Sequence, residues 1–514
     1  MYRVGIAFLL CFCTTAVLAQ EGGSELEKLQ KQIAIQQRQL EEMKAAMEKQ
    51  QQALDRLLAA AKLQTAQAAK PEPATVAVTA PAASAKAVAE TRPAAPLSFR
   101  IGGSDFTPSG FVDMSAVWRS TNVGSGAATA FGSIPSNNSA AGQLSEWRFS
   151  SLNSRLAVKV TERPFESGKV LATGYIETDF AGALPNNGYV TSNSNSFRLR
   201  QAYASAQIGN FEILGGQAWT LMTPNRVGTS AAPSDIFLGL GQDSAYLAGL
   251  IWVRQSQFRA TYRLTPNWTF AFSTENPQQY VTNATTLPSG FTSQFDTSSG
   301  NSTIANARPD LVGKLAFDKK LGNRSMHFEL AGLSRKFRTL AANNVQHTAQ
   351  GLGGSFNMFV EPVKNLRFIL TTFYSSGGGR YIMGLGPDAV VGPDGSISPV
   401  HSLSGIAGVE YQFSPASQVF AYYSGAYFSR NYIPVSPNTY VGFGYPGSSN
   451  TANRQIQEAS LGYIRIFWKN PNYGAFQALG QYSFLTRSPW HVASKSDQDM
   501  YTHMVYAGLR FTLP

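Results

Sequence analysis

The side chains in this sequence with the types and spacing for chemistry are charged, and they come in columns. Arg155 and Lys159 lie four apart, Glu177 and Asp179 two apart, and Arg198 and Arg200 two apart, with Arg259 further on. In an extended chain, residues separated by an even number share one face. Three successive strands would then carry a basic, an acidic and a second basic column on the same side. Such columns can raise the local concentration of anions, or they can form an ion-pair lattice that braces a wall. Catalytic readings find no support. The histidines His327, His347, His401, His491 and His503 are scattered without metal-ligand spacing, and no nucleophile elbow of the Gly-x-Ser-x-Gly kind is present. Gly442-Phe443-Gly444-Tyr445-Pro446-Gly447 matches a dinucleotide fingerprint letter for letter. No helical pattern follows it to hold a pyrophosphate, so it reads as a loop. The expectation is no cofactor, no metal and no enzyme.

The elements that must position the charged columns are strands. Charged residues make up 14% and aromatic residues 12% of the 514, against roughly 25% charged in ordinary soluble domains. From Ser98 onward many segments alternate with period two. Val112, Met114, Ala116 and Trp118 oppose Asp113, Ser115 and Val117. Leu152, Ser154, Leu156, Val158 and Val160 oppose Asn153, Arg155, Ala157 and Lys159. The last segment puts Tyr501, His503, Val505, Ala507, Leu509 and Phe511 on one face. Sixteen strands can be placed, and their links alternate long and short. Long links are expected near 121–146, 181–196, 221–247, 275–308, 339–350, 376–401, 429–453 and 487–499. The turns between them are short. All long links therefore leave one end, which is the form of an even-stranded, 16-stranded antiparallel transmembrane β-barrel, an all-β fold. In such a wall, charge on the lipid side costs roughly 2–4 kcal/mol at the midplane, so Arg155, Lys159, Arg198, Arg200, Glu177, Asp179 and Arg259 should line the pore. The phase of Arg254 conflicts with that of Arg259, and a bulge or a position above the membrane would reconcile them.

The first hundred residues differ. Residues 1–19 read as a signal peptide, with Arg3, an apolar run and Val17-Leu18-Ala19 as the cleavage site. Both cysteines, Cys11 and Cys13, fall inside it, which leaves a thiol-free mature chain. Residues 20–63 read as a coiled coil preceding the barrel. Leu26, Leu29, Ile33, Gln36, Leu40, Met43, Met47, Gln50, Leu54, Leu57 and Ala61 recur at alternating spacings of three and four. Residues 64–98 are rich in Ala and Pro and suit an extended linker. The barrel then occupies 99–514. Residues 101–514 hold 30 basic and 22 acidic side chains, an excess without the clustering that a nucleic-acid-binding fold needs.

Two stretches carry a family resemblance. Ser150-Ser151-Leu152-Asn153-Ser154-Arg155-Leu156-Ala157-Val158-Lys159-Val160-Thr161-Glu162 followed by Thr173-Gly174-Tyr175-Ile176-Glu177-Thr178-Asp179-Phe180 resembles the second hairpin of trimeric bacterial porins. Arg198-Leu199-Arg200-Gln201-Ala202-Tyr203 and Gly216-Gln217-Ala218-Trp219 resemble their next two strands. A coiled coil and Pro-rich spacer ahead of the barrel is similar to the DcaP-like branch. The resemblance implies a homotrimeric diffusion channel of the outer membrane for small hydrophilic or anionic solutes, with outer-membrane lipid around it and the coiled coil in the periplasm, where peptidoglycan is a possible partner. It also implies that the third long link folds into the barrel as a constriction carrying Arg226, Asp235 and Asp243. The chain departs from the usual terminal Phe, since Pro514 follows Leu513. A reading of another class is a structural envelope protein, with the barrel as anchor for a coiled coil that grips the cell wall.

Overall fold

The computed structural model describes Glu41 and residues 97–514, apart from 166, 185–193, 234–242, 244, 299, 301–302 and 384–385. The expected signal peptide and the seam residues of the expected coiled coil lie outside the described residues, as does Asp235.

Alternation along each strand produces a closed barrel. In chain order its strands are β1 (Ser104–Arg119), β2 (Glu146–Ser150 continued by Arg155–Glu162), β3 (Val170–Asp179), β4 (Arg198–Ile208), β5 (Phe211–Trp219), β6 (Arg254–Arg263), β7 (Trp268–Glu275) and β8 (Asp310–Leu321). They continue as β9 (Arg324–Leu340), β10 (Gln346–Val363), β11 (Leu366–Ser376), β12 (His401–Ser414), β13 (Ser417–Phe428), β14 (Asn453–Asn470), β15 (Gly474–Pro489) and β16 (Tyr501–Thr512). Each pairs antiparallel with its neighbour, and β16 closes the ring on β1 from Phe111↔Thr512 to Arg119↔Met504. Closure leaves no open edge to face lipid. Two-residue turns such as Gly209-Asn210 and Gly322-Asn323 join strands at one end. Their glycines sit at φ 56° and 63°, a left-handed conformation that favours residues without a Cβ.

The outer face follows the expected parity. Val112, Met114, Leu156, Val158, Ile176, Leu461, Val505 and Leu509 are exposed, whereas Asp113, Ser115 and Val117 are buried inside. Aromatic rings gather at the two ends of this apolar band, as at membrane interfaces. At the short-turn end Trp268, Phe317, Phe328 and Phe356 form a chain with ring centroids 4.7, 6.4 and 6.5 Å apart. Tyr411, Phe413 and Tyr463 form another. At the long-loop end Tyr374 pairs with His401 and Tyr482 with His503, their hydroxyls 3.0 and 2.8 Å from the imidazole Nδ1.

Three local expectations are corrected. The ladder of β2 breaks at 151–154, where Ser154 N–H bonds the Ser151 carbonyl and Ser154 Oγ accepts from Asp113 N, so Leu152 and Ser154 leave the alternation. The fifth link is only five residues, 341–345, because the β9–β10 ladder continues out to Leu340↔Gln346. The third link runs on to 253, past the expected 247. The Gly442–Gly447 stretch lies in a link, as expected, where Gly442 and Phe443 belong to a hairpin in which Asn431–Ser436 pairs with Thr439–Phe443.

Candidate functional site: a loop-narrowed lumen

The link between β5 and β6 lines the barrel interior with its described residues, 220–233, 243 and 245–253. Its apolar run Tyr246-Leu247-Ala248-Gly249-Leu250-Ile251-Trp252 explains why the link is longer than expected. These residues are apolar because they pack on the inner wall rather than because they face lipid. Tyr246, Leu247, Leu250 and Trp252 bury themselves among Phe359, Ile369, Ile406, Phe420, Tyr422, Ile464 and Leu479, inward-facing side chains of β10 to β15. Each fully buried large side chain contributes roughly 1.5–3 kcal/mol, enough to hold the crossing segment firmly. Gly249 has φ 82°, and a Cβ there would lie 2.1 Å from the Gly425 carbonyl oxygen, so backbone meets backbone at this point.

Wall carboxylates fasten the rest of the loop. Glu275 accepts from Thr220 Oγ1 at 2.6 Å and from Leu221 N at 2.8 Å. Glu329 accepts from Asn225 N at 3.2 Å and pairs with the fully buried Lys314 at 3.0 Å; Lys314 also donates to the Thr223 carbonyl. Asp318 accepts from Gly228 N and Glu458 from Ala248 N, both at 3.0 Å. Arg226 bonds Glu410 at 2.8 Å, and Asp243 accepts from Thr129 N and the Tyr506 hydroxyl. Charge-assisted bonds of this kind are the stronger class. The two described constriction residues expected from sequence, Arg226 and Asp243, are thus engaged in holding the loop.

Across from the crossing segment lie the charged columns. Between β3 and β4 the register shifts at Glu177/Thr178, so Arg200 is an extra residue rather than the simple neighbour of Arg198. Asp179 receives Arg198 at 3.0 and 2.6 Å and Arg200 at 2.7 Å, and Arg200 also meets Glu177 at 2.5 Å. Arg155, on β2, makes no ion pair with a described carboxylate; it donates to the Tyr246 hydroxyl at 2.5 Å, which Arg200 also reaches at 3.3 Å. Burial alone would push the Tyr246 phenol up, but the Arg155 and Arg200 guanidiniums overcome it and hold the group at about 8.

These groups border a cavity of about 440 Å³ whose lining includes Arg155, Glu177, Trp219, Tyr246, Lys469 and Arg510. Lys159 lines a separate recess of about 310 Å³ together with Arg259. Arg259 is buried, with its guanidinium on the Trp219 and Thr229 carbonyls, so it supports the loop root rather than standing in the open lumen. Arg510 bonds Asp113 at 2.7 Å. The β5–β6 register runs without a bulge to Trp219↔Arg254, and the Arg254 guanidinium lies 5.4 Å from the Trp219 ring. The bulge offered as a repair of its phase is therefore absent, and Arg254 opens β6 at its long-loop end.

Sequence reasoning missed the carboxylate clamps Glu275, Asp318, Glu329, Glu410 and Glu458 and the apolar inner wall. A signal for the second was present. Val419–Tyr423 is apolar on both faces, which a water-lined barrel strand does not require, and Tyr246–Trp252 is an apolar run of matching character within a link.

No protein-family model matches the chain, and no curated protein matches it. Among solved structures, it is similar to the outer membrane channel DcaP of Acinetobacter baumannii, at 18% identity over 80% of this chain and 98% of that one, with a TM-score of 0.58. Others are an anion-selective porin from Comamonas acidovorans (14% identity, 80% and 100% covered, TM-score 0.45) and the Salmonella typhi OmpF complex with daunomycin (11%, 81% and 100%, TM-score 0.45). What the likeness to the first establishes is the fold.

Proposed function

We propose that this chain, which has the closed sixteen-stranded fold of bacterial outer-membrane porins, is a passive diffusion channel for small hydrophilic solutes with a modest preference for anions. The observation that carries the reading is the loop segment 245–253 fixed inside the barrel opposite Arg155 and Arg200, which leaves a narrowed, polar, water-accessible lumen. Anions such as dicarboxylates or phosphorylated compounds gain most where a cation stands unneutralised in a narrow passage. The short-turn end faces the periplasm in this reading and the long loops face outward. The mature protein is a homotrimer, and residues 20–63 form a coiled coil on the periplasmic side.

Purified full-length protein in planar bilayers tests this. Discrete conductance steps with a reversal potential displaced toward the anion value are the expected result. A silent barrel would leave the structural-anchor reading, in which the coiled coil grips the cell wall.

A further inference from the structure

The outer wall carries a second feature, independent of the lumen. On the lipid-facing side of β11 to β14, Gly405 and Gly425 have no side chain to fill the surface, and a groove of about 360 Å³ opens there. Its sides include Leu370, Leu403, Tyr423 and Tyr427, with Leu403 and Tyr423 51% and 55% exposed. At the long-loop end the groove runs into a cationic cap. Tyr427, part of the groove, makes an edge contact with Trp490 at 6.1 Å between centroids. Arg430 and Arg454 lie 5.5 and 5.8 Å from the same indole ring, so their guanidinium carbons are no more than about 11 Å apart. Neither forms an ion pair with a described carboxylate. His401 adjoins them, its carbonyl accepting from Ser429 N.

The height of this cap decides what it meets. Tyr463, in the aromatic chain at the short-turn end, lies nine residues from Arg454 along β14. At about 3.3 Å per residue and a tilt near 40°, that is about 23 Å, close to the apolar band of about 25 Å. The arginines therefore stand where lipid headgroups begin, and the groove below them lies at acyl-chain depth. Guanidiniums take phosphate through parallel N–H donors better than ammonium groups do.

We propose that this face binds an anionic lipid of the outer leaflet, with a phosphate of its headgroup on Arg430 and Arg454 and an acyl chain along the glycine-floored groove. Bare aromatic rims bind lipid through amphipathic contact alone; here two uncompensated charges add a specific demand for phosphate.

Native mass spectrometry of the full-length protein in detergent, with divalent cations chelated, tests the assignment. The probes are diphosphoryl lipid A, the same lipid without its phosphates, and inorganic phosphate. Wild type should retain diphosphoryl lipid A at least tenfold more tightly than an Arg430→Gln/Arg454→Gln variant. Ala407→Trp, which places an indole in the groove, should weaken it comparably. Removing the phosphates should make the arginine substitutions silent, and millimolar inorganic phosphate should not displace the lipid. Both variants should keep wild-type conductance, which separates this assignment from the channel reading and reports correct folding. Lipid A retention within twofold of wild type in the double variant would overturn it, as would displacement by inorganic phosphate. A change in protomer number in lipid-free detergent would overturn it too, by giving the face to a second copy.

Discussion

Replacing Arg155 with Gln removes the cation of the constriction cluster that no described carboxylate neutralises. A monovalent ion passing roughly 6 Å from that guanidinium in water feels about 0.7 kcal/mol. With a Debye length of about 10 Å at 0.1 M salt, about 0.4 kcal/mol survives, and with about 3 Å at 1 M only about 0.1 kcal/mol. The first figure is a factor of about two for an anion and the inverse for a cation, so the permeability ratio should fall about three- to fourfold at 0.1 M. At 1 M the fall should be only about 1.4-fold. The assay is the reversal potential of single channels in a salt gradient, measured around both mean concentrations. An unchanged reversal potential at low salt, or an equal change at both, would refute the argument. Arg198→Gln/Arg200→Gln is a poorer probe. It strips Asp179 and Glu177 of their partners and so leaves buried carboxylates uncompensated.

The Tyr246 phenol, on the loop and held at about 8 by Arg155 and Arg200 against the opposing effect of burial, is neutral below that pH and anionic above it. Anion preference should therefore decline between pH 7 and 9.5, and Tyr246→Phe should flatten the titration, as read by reversal potentials across that range. Glu275→Gln weakens the charge-assisted bonds from Thr220 and Leu221, about 1.5–3 kcal/mol each, so open-channel current should become noisier and heat-shift gels should show unfolding at lower temperature. Deleting 228–240 should raise single-channel conductance severalfold; an unchanged value would place the narrowing elsewhere. Deleting 20–63 should leave a trimeric barrel with a lower dissociation temperature, checked by mass in mild detergent.

Strand number and facing were legible because a lipid-exposed wall imposes a two-residue period that few other settings require. Val112, Met114 and Trp118 against Asp113, Ser115 and Val117 show the rule working. Register was less legible. The extra residue at Arg200 turns on a bulge that leaves no mark in the pattern, and so the column of Arg198 and Arg200 looked simpler than it is. The carboxylate clamps escaped notice for a different reason. Nothing in the sequence around Glu275, Glu329 and Glu458 marks them as clamps, and only the loop's path through the lumen gives them partners. Arg259 shows the limit of parity, which places a side chain inside but cannot tell open water from a loop carbonyl.

Those clamps also set an order of events. The bonds from loop to wall join residues 54, 104, 184 and 210 positions apart, through Glu275, Glu329, Glu410 and Glu458 in turn. Contacts of such separation form late, because the chain between them must first be organised. The narrowing cannot be completed until β14 has joined the wall and brought Glu458 to the loop. Until then the loop lacks one of its wall anchors, so the passage takes its final width only when the wall is complete to β14. The width of the passage is thus a property of the finished wall, since residues from β7 to β14 must all be in place to hold one loop.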